Sequence, residues 1–243
     1  MRIIKLDATE STNSFLRDLG YTNSLEDYTV VVTKQQTQGR GQMGTVWRAK
    51  PGENLTFSVF KAYSHLKIEN QFYISMAVSL ALVAALKDFN VRKISVKWPN
   101  DILSENKKIC GILIENVIKQ NVLDSSIIGV GLNVNQKSFT NLPKATSMAV
   151  QEQQFFELDD VLLTFLKHLK LFFKQLEEGE FSTLHTRYEA VLFRKNKPST
   201  FKDAEGCVFS GFIRGVSSTG HLQVLLEDEI LKTFSLKEIS LLY

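Results

Sequence analysis

The segment 72–86 is the most apolar helix candidate in the chain, and it restricts the fold more than any other feature. Phe72, Met76 and Leu80 recur at a spacing of four, which predicts a helix over residues 71–87. Serines interrupt the apolar run, and it is shorter than the roughly 20 residues that a membrane span requires. We therefore expect this helix to lie in the core of a globular domain.

Strand-like segments lie on both sides of this helix, so the chain is expected to fold as an α+β protein. Residues 29–33 are β-branched, and residues 55–60 alternate, with Leu55, Phe57 and Val59 on one face. After the helix, the segments that predict strands are 94–97, 101–103, 108–118 and 126–134. The last of these contains Gly129 and Gly131, which is typical of a backbone that a ligand approaches closely.

The remaining segments predict three more helices, a loop and a small second domain. Ser11, Thr12 and Asn13 are suitable N-terminal caps for a short helix that Gly20 would end. Residues 135–154 are polar and predict a loop, whereas 159–176 and 181–192 predict helices. After Pro198, short β-like runs separated by turns predict a small barrel. These runs are 206–209, 211–216, 222–226 and 231–236.

Composition and charge exclude several classes of function. The 243 residues are 44% hydrophobic, enough for a real core, and the formal charge of +3 is too small for a dedicated nucleic-acid-binding protein. Two cysteines without CxxC spacing provide no disulfide framework. The first residues lack the apolar run of a signal peptide, so we expect a cytoplasmic protein with no membrane segment. The scattered histidines have neither metal-ligand spacing nor a Ser-His-Asp arrangement.

The glycine-rich loop Gly39-Arg40-Gly41-Gln42-Met43-Gly44 is the first segment that suggests a chemical site. Glycine has no Cβ, so backbone N–H groups in such a loop can approach an anion, and Arg40 can bind a phosphate or carboxylate through two nitrogen atoms. The alternative is a flexible hairpin loop with a solvated arginine, because short glycine motifs have low specificity. Trp47, just after the loop, is either a hydrophobic anchor or a stacking surface for a base.

A second segment, Lys97-Trp98-Pro99-Asn100-Asp101, places a cation, an amide and a carboxylate around a rigid proline. Pro99 biases Trp98 toward an extended conformation. Asn100 and Asp101 then either face a common site or form an Asx-type turn between strands.

Lys108 and Cys110 both have a structural explanation when each is taken alone. A lysine at the start of a strand is usually solvated. A nucleophilic Cys110 would need a nearby base and a lowered pKa, which no sequence feature supplies, so we expect it to pack in the core.

Together and in this order, these motifs resemble the biotin protein ligase family. The resemblance covers approximately residues 1–190, and residues 191–243 look like the family's SH3-like C-terminal domain. It implies a mixed β-sheet catalytic domain of the biotin/lipoate ligase type packed with helices, followed by a small SH3-like β-barrel. The resemblance rests on Glu10-Ser11-Thr12-Asn13, Gln36-Thr37-Gln38-Gly39-Arg40-Gly41, Trp47, Lys97-Trp98-Pro99-Asn100-Asp101, Lys108-Ile109-Cys110-Gly111-Ile112-Leu113 and Gly129-Val130-Gly131-Leu132-Asn133.

The resemblance implies a two-step reaction without a protein nucleophile. Biotin's carboxylate attacks the α-phosphate of ATP, which gives biotinyl-5′-AMP and pyrophosphate. A lysine of a biotin carboxyl carrier protein then attacks the mixed anhydride and releases AMP. Two anions meet in the first step, so cations are needed, and Mg²⁺ would offset the charge of the triphosphate.

The resemblance also assigns roles to residues of this sequence. Arg40 and Lys108 are the implied catalytic cations, with Asp101 as the implied Mg²⁺ ligand. The implied biotin-binding residues are Ser11, Thr12, Asn13, Gln36, Gly39, Arg40, Lys108, Gly111, Ile112 and Leu113. The implied nucleotide-binding residues are Arg40, Gly41, Gln42, Trp47, Asn100, Asp101, Lys108 and Asn133, with Trp47 near adenine and Asn133 at its polar edge.

The sequence departs from the family in two places. Many relatives have a second arginine in the glycine loop, where this chain has Gln42-Met43. We expect the loop to be mobile in the free protein and to order over the adenylate. Some relatives also have an N-terminal DNA-binding winged helix, whereas the motifs here begin at Ser11, so we expect no DNA binding.

Three alternatives and the oligomeric state remain open at this stage. The chain could be a lipoate or octanoate ligase or transferase, or a sensor that binds biotin or a nucleotide without catalysis. A nucleic-acid-binding barrel in the tail has little support, because its basic residues are mixed with acidic ones. Residues 108–118 or 126–134, if at a sheet edge, could pair across a two-fold axis in a homodimer or face the carrier protein.

Overall fold

The computed structural model describes residues 1–22 and 24–243, and its centre is a seven-stranded mixed sheet. The strands of this sheet are β1 (Ile3–Thr9), β2 (Val30–Gln36), β3 (Leu55–Lys67), β4 (Ile94–Lys97), β5 (Asp101–Ser104), β6 (Lys107–Lys119) and β7 (Val122–Leu132). Their order is β1-β2-β3-β7-β6-β5-β4. Strands β1 and β2 are parallel, and all other neighbours are antiparallel.

The main core lies between this sheet and a layer of helices, α2 (Gln71–Asp88), α4 (Leu158–Glu177) and α5 (Phe181–Ala190). Leu55, Phe57 and Val59 belong to this core, as their alternation predicted, and the rings of Phe57 and Phe165 lie 5.4 Å apart. The segment Ile68–Asp88 is long and apolar enough to cross a membrane by length and composition alone, but 61% of its apolar window is buried in the protein. The predicted core helix is therefore confirmed.

Helix α1 (Thr12–Thr22) packs on the opposite face of the sheet, where Leu16 is buried with Val31 and Ile127. Ser11 caps it as predicted, because its Oγ accepts a hydrogen bond from the backbone N–H of Ser14 at 3.5 Å. The expected stop at Gly20 is wrong. The helix continues through this glycine, where a Cβ would lie 3.3 Å from Leu25 Cδ1, so Gly20 makes room for a packed side chain.

A second, five-stranded antiparallel sheet forms the C-terminal part of the chain. Its strands are β8 (Pro198–Asp203), β9 (Val208–Val216), β10 (Leu222–Leu226), β11 (Leu231–Phe234) and β12 (Ile239–Leu242), in the order β11-β10-β9-β8-β12. Phe209 stacks between Phe201 and Phe234 at ring distances of 5.6 and 5.8 Å. This arrangement agrees with the SH3-like domain that the resemblance implies. The runs 206–209 and 211–216, predicted as separate, form the single strand β9.

The two sheets are joined through the segment after α5. Val96 in β4 donates its N–H to the carbonyl of Val191 and accepts from the N–H of Phe193, both at 2.8 Å. Residues 191–193 therefore extend the edge of the first sheet before the chain enters β8. The predicted division between residues 190 and 191 stays a prediction, with these contacts favouring a slightly later boundary.

Three further expectations differ from the structure. Strands β1, β8 and β12 have no counterpart among the predicted strands. The predicted loop 135–154 contains a short helix, α3 (Met148–Glu152), capped by Ser147. Strand β7 is an inner strand, because it pairs with β3 on one side and β6 on the other, so it offers no edge to a partner. Strand β6 pairs with β5 only over residues 107–111, which leaves one side of its later part without a strand partner in the described chain.

Candidate active site

A cavity of about 560 Å³ brings most of the sequence motifs together. It lies between the start of α1, the glycine loop, the β4–β5 hairpin and the adjacent strands β6 and β7. Its volume is in the range of small-molecule sites. The predicted site residues that line it are Ser11, Thr12, Asn13, Gln36, Arg40, Gly41, Gln42, Trp47, Asn100, Asp101, Lys108, Gly111, Ile112 and Leu113.

Neutral polar groups form one end of this cavity. The Oε1 atom of Gln36 accepts from the backbone N–H of Thr12 at 2.8 Å and from its hydroxyl at 3.1 Å. Ser58 Oγ lies 2.7 Å from Thr12 Oγ1 and 2.5 Å from Asn13 Oδ1. A hydroxyl has one proton, so Ser58 can donate to only one of these atoms at a time. Ser58, Thr12 and Asn13 are buried, so their orientations are fixed by this network.

Asn13 is also held from strand β6. Its Nδ2 donates to Glu115 Oε2 at 2.7 Å and more weakly to the carbonyl of Leu113 at 3.4 Å. The other oxygen of Glu115 lies 2.7 Å from Arg17 Nη2 and 3.5 Å from Arg40 Nη2. A single carboxylate therefore contacts both the polar end of the cavity and the arginine of the glycine loop.

The glycines of β6 and β7 make room for side chains of the protein. A Cβ at Gly129 would lie 2.5 Å from Asn13 Oδ1, and a Cβ at Gly131 would lie 2.2 Å from the ring of Trp47. A Cβ at Gly111 would also approach this ring, at 3.2 Å. All three glycines line the cavity, but in this structure the close approach expected of a ligand is made by Trp47 and Asn13.

The glycine loop is a hairpin-like turn that is closed by its own backbone. Gly41 N–H donates to the carbonyl of Thr45 at 2.7 Å, and Trp47 N–H donates to the carbonyl of Gly39 at 3.0 Å. The amide of Gly41 is thus used within the loop, unlike the free anion-binding amide that the glycine pattern suggested. The side chain of Arg40 supplies the positive charge, and its Nη2 donates to Ser14 Oγ at 3.0 Å.

The segment from Lys97 to Asp101 is both a turn and part of the site. Lys97 ends β4 and Asp101 begins β5, so the residues between them form a hairpin turn, with a cis bond before Pro99. Asn100 Nδ2 donates to the carbonyl of Ile112 at 2.8 Å, which fastens the turn to β6. Asp101 Oδ1 lies 2.6 Å from Lys108 Nζ, and this ion pair sets the position of the lysine at the cavity.

Cations dominate the charged groups of the cavity lining. Lys97 and Lys108 lie around Asp101, and Arg40 lies beside Ser14 and Glu115. Asp101 is the one carboxylate in the described lining. Burial lowers the pKa of Lys97 below its usual value, and although Asp101 opposes this shift, Lys108 adds to it. A half-buried lysine near another cation is costly, so the region around Lys97 and Lys108 is suited to an anionic ligand.

Tyr243, which follows β12, reaches Lys97 in the same region. Its ring centre lies 5.0 Å from Lys97 Nζ and 4.3 Å from Lys144 Nζ, within the range of cation–π contacts. Burial, together with the charge of Asp101, raises the pKa of the Tyr243 hydroxyl. Leu236, also from the C-terminal part, lines the cavity directly. Both parts of the chain therefore contribute to this site.

Cys110 and the acidic residues limit the chemistry that the site can perform. Cys110 is fully buried, and burial raises the pKa of its thiol, so the expected packing role is confirmed. Within residues 1–22 and 24–243, no group of three or more His, Cys, Asp or Glu side chains could hold a metal ion. A Mg²⁺ ion that arrives with nucleotide phosphates needs only one or two carboxylates, and Asp101 meets that requirement.

Two predicted site residues lie outside the cavity lining. Gly39 is buried, and a Cβ there would lie 2.4 Å from the carbonyl oxygen of Trp47. Asn133 is buried, and its Nδ2 donates to the carbonyl of Thr146 at 2.9 Å. Their ligand-binding roles stay predictions. Conversely, sequence reasoning missed Ser58 and Glu115, although the polar face of the alternating segment 55–60 was a usable signal for Ser58.

Comparison with known proteins identifies the family. The model of the Biotin/lipoate A/B protein ligase family matches residues 6–133, which is more than half of the chain. The chain belongs to this family. Residues 6–133, which this family model matches, contain every predicted site residue from Ser11 to Asn133.

Individual members of this family match different portions of the chain. The bifunctional ligase/repressor BirA of Bacillus spizizenii is 33% identical over 136 residues, which are 56% of this chain and 41% of the relative. BirA of Escherichia coli is 25% identical over 238 residues, which are 97% of this chain and 73% of the relative. The chain therefore spans about two fifths of the Bacillus protein and about three quarters of the Escherichia coli protein.

A solved structure of the biotin protein ligase from Aquifex aeolicus, in complex with biotin and ATP, matches the whole fold. The TM-score is 0.82 at 25% identity, and the match covers 99% of this chain and 98% of that protein. Both sheets of the present structure therefore have counterparts in that ligase.

Proposed function

We propose that this chain is an ATP-dependent biotin–protein ligase that forms biotinyl-5′-AMP and transfers biotin to a lysine of a biotin carboxyl carrier protein. The proposal rests on a single cavity that joins a neutral polar end around Asn13 and Gln36 to a cationic end around Lys97 and Lys108, with Arg40 beside the polar groups. The first end suits an uncharged heterocycle with polar edges. The second suits two anions that must be brought together.

The first step needs charge neutralisation more than a nucleophile from the protein. A carboxylate oxygen of biotin attacks the α-phosphorus of ATP, the bond from this phosphorus to the bridging oxygen breaks, and pyrophosphate leaves. Arg40 has the planar fork that binds carboxylate and phosphate oxygens, and Lys108 is a point charge held by Asp101. Both would stabilise the charge that develops on the reacting oxygens.

In the second step, the neutral amine of the carrier lysine attacks the acyl carbon, AMP leaves, and the amine loses a proton. Neither step requires a cysteine, in agreement with the buried Cys110. This argues against a transferase with a cysteine nucleophile. The flat ring of Trp47 would pack near adenine, while Asn100 and Asp101 would orient the nucleotide.

Mg²⁺ would enter with ATP, and Asp101 is the residue that would hold it. When bound, the ion offsets the charge of the triphosphate. The carrier domain, or a second copy of this chain in a homodimer, could use the later part of β6, where one side of the strand has no strand partner in the described chain. The absence of DNA binding and a cytoplasmic location remain predictions.

The test is ATP–pyrophosphate exchange measured with biotin, with lipoate, and with neither acid. We expect exchange that depends on biotin and Mg²⁺. Exchange with lipoate alone would replace the proposal by a lipoate ligase. Tight binding of biotin without exchange would instead indicate a sensor. A second assay, transfer of biotin to a purified carrier domain, tests the second step on its own.

A further inference from the structure

Glu115 links the polar end of the cavity to Arg40, although it is not among the lining residues. We propose that Glu115 is a positioning residue that orients Asn13 for the biotin ring, and that Arg17 neutralises Glu115 so that Arg40 stays free for the substrate anions. The inference rests on the proposed function, because it assigns these roles within the same site. Arg17 lies on α1, outside the cavity lining and outside every motif discussed above.

Both oxygens of the Glu115 carboxylate are in use. Oε2 accepts from Asn13 Nδ2 at 2.7 Å. Oε1 faces two guanidinium groups, that of Arg17 at 2.7 Å and that of Arg40 at 3.5 Å. The two arginines therefore compete for one oxygen atom, and Arg17 holds the closer position.

The distances imply that Glu115 holds Arg40 only loosely. A separation of 3.5 Å is longer than a good charge-assisted hydrogen bond, whereas 2.7 Å is typical of one. The side chain of Glu115 is 29% exposed and that of Arg40 is 43% exposed, so their attraction is weakened but not abolished by water. Without Arg17, Arg40 would be the one cation left near this carboxylate in the described chain. Arg40 would then move closer to Glu115, at the expense of its contact with ligand anions.

The same carboxylate fixes the amide of Asn13. With Nδ2 bound to Glu115, Asn13 Oδ1 must face Ser58, at 2.5 Å. A glutamine at position 115 would keep an oxygen that can accept from Asn13 but would lose the charge that attracts the arginines. Substitution of Glu115 by glutamine thus separates the positioning of Asn13 from the competition for Arg40.

The test is a double-mutant cycle on the binding of biotin, made of R17M, E115Q and the double variant, and measured by calorimetry. We expect R17M to weaken biotin binding about fivefold, the effect of a half-exposed ion pair. Adding E115Q should restore most of this loss, because a neutral side chain no longer attracts Arg40. A purely structural role for Arg17 predicts that the separate effects of R17M and E115Q on the binding free energy add in the double variant. Additivity would overturn the inference.

Biotinol, in which a hydroxyl replaces the carboxylate of biotin, is the matched ligand control. R17M should leave biotinol binding unchanged, because this ligand offers no anion to Arg40, and an equal loss for both ligands would also overturn the inference. R187M, at an exposed arginine on α5, is the matched control variant. If the wild-type protein neither binds biotin nor exchanges pyrophosphate, the proposed function fails. If it does both and the cycle is additive, this inference alone fails.

Discussion

Replacing Lys108 by methionine should slow formation of the adenylate by a factor on the order of 10²–10³. A unit charge about 4 Å from an anion contributes about 4 kcal/mol at an effective dielectric constant of 20. The lysine side chain is 36% exposed, so we reduce this to about 2–3 kcal/mol for screening by water. The variant also leaves Asp101 unpaired, 17% exposed and facing the incoming anions, which adds about 1 kcal/mol.

The assay is formation of biotinyl-5′-AMP measured as kcat/KM at subsaturating biotin and ATP, because this quantity reports the whole loss of charge stabilisation relative to the free enzyme and substrates. Lys107→Met is the matched control, because this neighbour is exposed and lies outside the cavity lining. A Lys108→Met rate within tenfold of wild type would refute the electrostatic reasoning.

Four other predictions concern groups described above. Arg40→Ala should lower the single-turnover rate on the order of 10²-fold, and a normal rate would exclude Arg40 from the mechanism. Lys61→Ala should reduce the free energy of unfolding by about 3 kcal/mol, because it removes a buried aliphatic chain, two ion pairs with carboxylates and three contacts with aromatic rings. Urea denaturation measures this change. Burial lowers the pKa of Lys97, so the folded state binds this proton less tightly than the unfolded state does, and the free energy of unfolding rises as the pH increases toward 10.5. Lys97→Met should remove part of this rise. Denaturation measured at a series of pH values tests this. Proteolysis within residues 39–44 should slow when biotin and ATP are added together, and equal rates would contradict loop closure.

The sequence predicted elements whose pattern is set locally. Helix α2 and the face of β3 that carries Phe57 follow from apolar periodicity, which the core then satisfies. Strand β1 was missed because it is an edge strand whose side chains are mostly exposed or half-buried, so burial imposes no clear alternation on it. The prediction that the helix ends at Gly20 was wrong, because the glycine at this position leaves room for the Leu25 side chain and does not mark a helix end.

The candidate site was predictable only where it coincides with motifs. Lys108 and Asp101 were identified by the resemblance, and their ion pair follows from the pairing of β5 with β6. The contacts of Glu115 with Asn13 and Arg17 span about 100 positions in the sequence. No local pattern encodes such a contact, because it depends on how α1 is placed across β6. The same reason applies to the use of Gly131 to accommodate Trp47.

The attachment of the turn before β10 to the first sheet has a practical consequence. Trp98 Nε1 donates to the carbonyl of Gly220 at 2.9 Å, and a Cβ at position 220 would lie 2.5 Å from the ring of Phe72. A shortened protein that stops before β8 would therefore uncover an aromatic surface next to the cavity and lose Leu236 from the cavity wall. Such a fragment would be prone to aggregation, and an adenylate formed in its cavity would be less protected from hydrolysis. Engineered versions should therefore retain the small C-terminal sheet.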